Sequence, residues 1–349
     1  MPESGYGLLD RLLHRLALQS SSIAEMSFDL DQRMVRTDPD KIRQQRHVFV
    51  SGLARAGTTV LMRRFHNTGH YRSLTYRDMP FVLAPNLWQR LAVLSKHDSE
   101  HVERAHGDRL LVNIDSPESL DEVFWRIFTG KQYIKNEKLV PYEPSAEIID
   151  KFIRYVNAIL STCPPGCNRY LSKNNNNILR LRAIHKAFPN ALILIPFREP
   201  QQHAYSLLQQ HGRFSELQAK SEFTLSYMNW LCHHEFGLDH RPVLPDGVTP
   251  PPYPADNLNY WLQLWCECYS WLEQAKPDAA LFVCYEDICA RKENWKRLAQ
   301  LADISPDHET DDSFKSSNKP IDFDTDEEIA DRASAIYERL VTLARIRLS

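Results

Sequence analysis

Apolar runs alternate with amphipathic stretches along most of this chain, a pattern that predicts strands separated by helices. His47-Val48-Phe49-Val50 is apolar and β-branched, as a strand buried on both faces requires. Beyond it Val60, Leu61 and Phe65 fall at helical spacing, which predicts a helix starting at Gly57-Thr58. Residues 71–76 and 168–173 read as further short strands, 191–197 as the clearest and therefore an interior one, and 280–285 as a late one. Residues 110–114 form a strand or an extended arm. Helices are predicted over 86–108, 119–128, 144–162, 178–188, from Pro200 past Ser206, and over 258–274, 293–302 and 325–347. Residues 1–46 are helical, with Leu8, Leu9, Leu12, Leu13 and Leu16 in a stripe expected to pack on the body. Residues 236–256 carry many prolines and no period, predicting an excursion over the surface that shapes a substrate mouth.

The order of elements implies one α/β domain over 1–349, a three-layer sandwich with a mostly parallel central sheet flanked by helices. Between the first strand and its helix lies Ser51-Gly52-Leu53-Ala54-Arg55-Ala56-Gly57-Thr58-Thr59. A glycine-bounded loop running from a strand into a helix start aims backbone N–H groups and the positive helix end at an anion. The spacing Gly52-x-x-x-x-Gly57 is that of a phosphate loop, yet Thr58 stands where a triphosphate-binding loop has Lys. That absence argues against a kinase or ATPase; an ordinary βα turn is the plainer alternative.

Composition narrows the choice. A formal charge of −3 gives no global nucleic-acid signature, so any anion site is a local cluster of Lys and Arg. No run of eighteen apolar residues exists to span a membrane. Seven cysteines without a small-domain spacing, no Asn-x-Ser/Thr sequon and an N-terminus with early acids predict a reducing, cytoplasmic setting. Cys163-Pro-Pro-Gly-Cys167 leaves open a local disulfide, a metal site, or neither.

In an open parallel sheet, ligands sit at the carboxyl ends of strands. The loop at 52–59, Asp78, Lys173 and Arg198 all fall at such ends. A metal-dependent ATPase typically ends a central strand in Asp; Arg198 here points to negative charge held directly, with no metal expected, while Tyr285-Glu286-Asp287 at the end of a later strand is the competing metal-carboxylate candidate. Arg198 and Ser206 are spaced to bracket a phosphate beyond the loop's reach, or Arg198 pairs internally with Glu199 or Glu286. Tyr260, Trp261, Trp265 and Tyr269 pack a core or line an acceptor pocket.

Residues 49–59 resemble the 5′-phosphosulfate loop of sulfotransferases that use 3′-phosphoadenosine 5′-phosphosulfate (PAPS), and residues 195–206 resemble that family's 3′-phosphate motif. Residues 281–287 are similar to its late strand, whose Tyr lies near the adenine in the branch that includes tyrosyl-protein sulfotransferases. The resemblance implies PAPS as donor and PAP as product. It assigns the donor's 5′-phosphosulfate to Ala56, Gly57, Thr58 and Thr59, its 3′-phosphate to Arg198 and Ser206, and its base to Tyr285. Arg55 stands where the cytosolic branch has Lys, as a fixed cation that cannot donate a proton. Lys173 then becomes the donor or charge stabiliser at the bridging oxygen, and Asp78 the general base, with His66, His106 and Asp115 as rivals. Gln210 replaces a basic 3′-phosphate contact, and Lys315, Ser317 or Lys319 are candidates to compensate. The acceptor is a small molecule or glycan of unread identity. A drifted phosphate-loop kinase and a non-catalytic nucleotide-binding module are the competing readings.

Overall fold

The computed structural model describes residues 8–92, 102–103, 111–112, 119–163, 166–305 and 324–348. The chain opens with helices α1 (Leu8–His14), α2 (Ser21–Gln32) and α3 (Pro39–Arg43), and a π-helical turn, Arg15–Gln19, separates the first two. Strand β1 (Val48–Val50) feeds α4 (Thr58–His66), followed by β2 (Tyr71–Arg72), a 3-10 turn at Tyr76–Asp78 and α5 (Pro85–Ala92). Strands β3 (Val102–Glu103) and β4 (Leu111–Val112) pair antiparallel as a separate ribbon. Helices α6 (Glu122–Tyr133) and α7 (Ala146–Leu160) lead to β5 (Arg169–Lys173), then to a 3-10 turn at Asn175–Arg180 and α8 (Leu181–Ala187). Strand β6 (Leu192–Phe197) precedes α9 (Pro200–Lys220), α10 (Glu222–Trp230) and α11 (Leu258–Ala275). Last come β7 (Ala280–Cys284), α12 (Tyr285–Ala290), α13 (Lys292–Leu301) and α14 (Glu327–Leu348).

The main sheet is five-stranded and parallel, in the order β2-β5-β1-β6-β7. Period-two alternation splits its side chains between two cores. Phe49, Tyr170, Ile193 and Phe282 join the larger one, and Val50, Leu171, Leu194 and Leu281 join the other. Each such side chain contributes about 1.5–3 kcal/mol on burial. Two covered faces make the three-layer α/β sandwich the sequence predicts. Val50 lies opposite Lys173 on one neighbour and Leu194 on the other, so the chain leaves β1, β5 and β6 along one edge.

Several elements differ from expectation. Leu12, Leu13 and Leu16 are exposed rather than packed, while Ala17, Leu18, Ala24 and Phe28 make the N-terminal contact. The π-helical turn interrupts the 3.6-residue period on which the leucine stripe was read. The strand expected over 71–76 stops at Arg72, because Asp78 caps a 3-10 turn through Thr75. Of the helix expected over 86–108, α5 ends at Ala92, Val102–Glu103 is strand, and the rest lies outside the described residues. Strand β4, within the expected 110–114 arm, stays out of the main sheet. The proline-rich segment 236–256 has no helix or strand of its own, yet Val243 and Leu244 are buried and Leu139 bonds across to both Pro242 and Leu244. Tyr260, Trp261, Trp265 and Tyr269 are all buried, so the aromatic face of α11 is core and not a pocket wall. Among the described residues no helix is long and apolar enough to cross a membrane.

Candidate functional site

The loop from Ser51 to Gly57 is tight because its neighbours leave no room. A Cβ on Gly52 would lie 2.9 Å from the Pro196 carbonyl of β6. Gly57 has φ +85°, and a Cβ there would meet the Tyr285 ring at 2.3 Å, so both conformation and space require glycine. Arg55 is left-handed too (φ 70°), without glycine's freedom, at a cost on the order of 1–3 kcal/mol. Its Nε–H donates to Ser206 Oγ on α9 across 3.2 Å, which ties the strained residue down. Ala56 and Thr58 are buried, Thr59 is half-buried, and both threonines sit in the first turn of α4, whose N–H groups a helix cannot satisfy internally.

His203 fixes the middle of the loop from below. Its Nδ1 accepts the Trp265 indole N–H (3.1 Å), so Nε2 carries the proton donated to the Ala54 carbonyl (2.7 Å). Burial drives the imidazole pKa down to about 3; the bond to Ala54 opposes this, and the Arg198 and Arg55 cations add to it. The ring is therefore a neutral strut.

Arg198 follows β6 and is buried, with Nε 3.9 Å from Glu286 Oε1 and its guanidinium carbon 5.9 Å from the Tyr285 ring centroid. The Tyr285 ring thus borders both Gly57 and Arg198. The Glu286 alternative for Arg198 is realised at long range, whereas Glu199 caps α9, accepting the Gln201 and Gln202 N–H groups. Tyr285 opens α12 instead of ending a strand, and burial holds its phenol well above the ordinary range. Gln210 is buried on α9, and its Nε2 has no hydrogen-bond partner among the described residues.

Lys173 ends β5 beside Val50 and is buried. Its strand end is anchored by charges the sequence reading missed. Asn174 donates Nδ2–H to Glu122 Oε2 (2.8 Å), and Glu122 receives both Nη groups of Arg180 at 2.8 Å. Arg180 lies over the rings of Trp125 and Tyr133, at 4.7 and 5.0 Å. Alongside, Ser172 donates to Asp121 Oδ2 (2.6 Å), whose pKa burial pushes up to about 6. No local pattern in the sequence singles out Glu122 or Arg180; only a contact between distant segments marks them.

Asp78 is buried with both oxygens engaged: Arg72 Nη2 bonds Oδ1, and the Thr75 backbone N–H (2.7 Å) and hydroxyl bond Oδ2. A second acid-base pair is tied to Asn175, two residues beyond Lys173. Asn175 donates Nδ2–H to Glu235 Oε1 (3.0 Å), and His233 Nδ1 lies 3.5 Å from Glu235 Oε2. Burial alone would raise the Glu235 pKa, but the bond and charge of His233 and the Asn175 amide hold it well below the carboxylate range. His233-His234-Glu235 was the available sequence signal.

Other candidates lie elsewhere. His66 ends α4, roughly 12 Å along its axis from the loop. His106, Asp115, Lys315, Ser317 and Lys319 fall outside the described residues. A cavity of about 300 Å³ between Tyr142, Arg182, Trp271 and Lys276 contains none of the loop residues. Among the described residues no group of three His, Cys, Asp or Glu side chains is placed to hold a metal.

The model of the sulfotransferase family matches residues 47–241, more than half of the chain. No curated protein matches. Among solved structures, the chain is similar to sulfotransferase STF1 from Mycobacterium tuberculosis H37Rv, at 13% identity over 98% of this chain and 88% of that one, with a TM-score of 0.48. Sulfotransferase STF9 from Mycobacterium avium matches at 14% identity over 97% and 79%, with a TM-score of 0.45. A sulfotransferase from Alicyclobacillus acidocaldarius matches at 12% identity over 87% and 96%, with a TM-score of 0.39.

Proposed function

The chain belongs to the sulfotransferase family, and from that premise we propose that it transfers a sulfuryl group from PAPS to a hydroxyl or amine acceptor, releasing PAP. The observation that carries the reading is the joined pair of cationic positions at one sheet edge. Arg55 in the loop bonds Ser206 of the Arg198–Ser206 segment, and Arg198 lies over the ring that covers Gly57. A donor with phosphate at two separate positions suits two linked cations, and Thr58 in place of Lys suits a ligand without a γ-phosphate.

PAPS supplies an activated sulfuryl group whose leaving phosphate gains negative charge as the bridging bond breaks. Arg55 and Lys173 are the cations assigned to that charge, preset by the strand ends that carry them. The loop N–H groups and the Thr58 and Thr59 hydroxyls hold the 5′ end; Arg198 and Ser206 hold the 3′-phosphate, with Tyr285 at the base. The acceptor oxygen loses its proton as its bond to sulfur forms. Asp78 is the base expected from its position, but Arg72 and Thr75 already occupy its oxygens. That occupancy favours a second reading for this single role: His233, held by Glu235 at Nδ1, acting in its neutral form with Nε2 as the proton acceptor.

The acceptor is proposed to be a small molecule or glycan, and the reaction to take place in the cytoplasm without a metal. The test is a thermal shift with PAP, AMP, ATP and NADH, followed by radiolabelled PAPS with a panel of hydroxyl and amine acceptors. PAP is expected to raise the melting temperature without Mg²⁺, and label to leave PAPS. Stabilisation by ATP only with Mg²⁺ would favour the kinase reading; PAP binding with no transfer to any acceptor would favour the non-catalytic module.

A further inference from the structure

Cys163 and Cys167 are absorbed by nothing above. Four of the other five cysteines are buried; these two are half-buried and reduced, with their sulfurs 3.1 Å apart. The approach follows from the backbone. Cys163 closes the end of α7, its N–H bonded to Leu160 O (3.1 Å). Gly166 then turns the chain back at φ +94°, in open space.

The pair adjoins the Asp78 turn through a single side chain. Arg72 on β2 donates Nε–H to Thr162 Oγ1 (3.3 Å), the neighbour of Cys163, and its Nη2 holds Asp78. The charges that face the sulfurs are those of Arg72 and, beyond it, Asp78. A single hydrogen bond joins the two sulfurs. The bond from Cys163 lowers the Cys167 pKa, with Arg72 assisting against burial, while the same bond and burial raise that of Cys163. Cys167 is therefore the nucleophile and Cys163 the resolving thiol.

We propose that Cys163 and Cys167 are a reactive dithiol that low-molecular-weight disulfides close into an intramolecular disulfide, and that Arg72 carries the change to Asp78. The Cys167 thiolate attacks one sulfur of the small disulfide, whose S–S bond breaks to release the first small thiolate. Cys163 then loses its proton to solvent and attacks the Cys167 sulfur of the mixed disulfide, expelling the second. The two electrons lost by the protein reduce one small disulfide to two small thiols. Before closure Arg72 faces both a thiolate and the Asp78 carboxylate; afterwards no anion remains on the sulfur side and Asp78 holds it alone.

The experiment equilibrates the full chain with reduced and oxidised glutathione at increasing oxidation, then blocks free thiols with iodoacetamide and measures intact mass. Wild type is expected to lose two alkylation sites together and to regain both with reductant. Cys163→Ser and Cys167→Ser should not close, and Cys289→Ser should close like wild type. Failure of wild type to lose the two sites, or closure in either single variant, would overturn the dithiol. The relay is read by hydrogen exchange at the Thr75 N–H, which bonds Asp78. Slower exchange in the closed protein is expected, and unchanged exchange would overturn it. Arg72→Gln should slow Cys167 alkylation at neutral pH several-fold. Should that variant fail to fold, the pH midpoint of wild-type Cys167 alkylation decides the same point: one below the ordinary thiol value of about 8.5 is expected, one at or above it would overturn the role of Arg72.

Discussion

The Arg55 guanidinium and the Ser206 hydroxyl, 151 residues apart in sequence, meet at 3.2 Å. The glycine loop and the start of α9 are therefore one unit, and the two cationic positions are mechanically linked. Ser206→Ala should loosen Arg55, whose left-handed backbone carries strain that this bond helps to hold. A bond to a charged group contributes about 1.5–3 kcal/mol, so PAP affinity should fall roughly tenfold or more. Arg198→Ala should abolish the PAP-dependent thermal shift altogether. Undiminished PAP binding by Arg198→Ala would remove it from the donor site.

Gly57→Ala should destabilise the fold itself. The positive φ costs a side chain on the order of 1–3 kcal/mol, and the added methyl meets the Tyr285 ring. Tyr285→Ala in the same chain should recover the steric part and leave the conformational part. Urea unfolding of the two single variants and the double variant separates the contributions.

How much of this was legible in the sequence depends on the range of the interaction. The run 47–50, the two glycines and the interior strand at 192–197 are local patterns, and the parallel sheet followed from them. The candidate loop and the cations at 173 and 198 were visible because strand ends are where open sheets place ligands. Asp78 was singled out by its place in the sequence, but its partner Arg72 was not, because a capping turn took over the end of the expected strand. His203, Glu122 and Arg180 stayed hidden for another reason: their roles arise from contacts made only once distant segments pack. The exposed leucines of the N-terminal helices show the converse, a clean period broken by one π-helical turn.

The base assignment separates on two substitutions. His233→Ala is expected to keep the PAP thermal shift and lose roughly 10²–10⁴-fold in transfer to whichever acceptor the panel returns. Asp78→Asn should alter stability through Arg72 and retain most turnover. The reverse pattern, full activity in His233→Ala and none in Asp78→Asn, would return the role to Asp78.

Glu122→Ala should be among the most damaging changes outside the loop. It strands the Arg180 guanidinium, fully buried among aromatic rings, and removes the acceptor of Asn174. Breaking a buried pair from one side costs about 3–5 kcal/mol. Replacing Glu122 and Arg180 together by Gln and Met should cost less than Glu122→Ala alone, as urea midpoints will read.

Acid should unfold this protein by way of its neutral buried histidines. His47, His203 and His240 have folded pKa values near 4, 3 and 4 against an ordinary 6.5, with burial the main cause in each. A depressed pKa means the unfolded chain binds the proton first, so their stabilisation is complete above 6.5 and drains away as pH falls toward the folded values. Each contributes a slope of about 1.4 kcal/mol per pH unit inside its window. Asp121 runs the other way: raised from 3.8 to about 6, it is protonated first in the folded state, so its contribution grows as pH falls through 6. Burial also lowers His211 and raises Asp31, so four histidines stand against two aspartates and stability falls with acid between about pH 6 and 4. His203→Asn should flatten that fall by about 1.4 kcal/mol per unit, and Asp121→Asn should steepen it by as much. Denaturation midpoints at a series of pH values decide the matter. An unchanged slope in His203→Asn would mean that the ring is charged in the folded protein, which an Nδ1 accepting the Trp265 N–H does not allow.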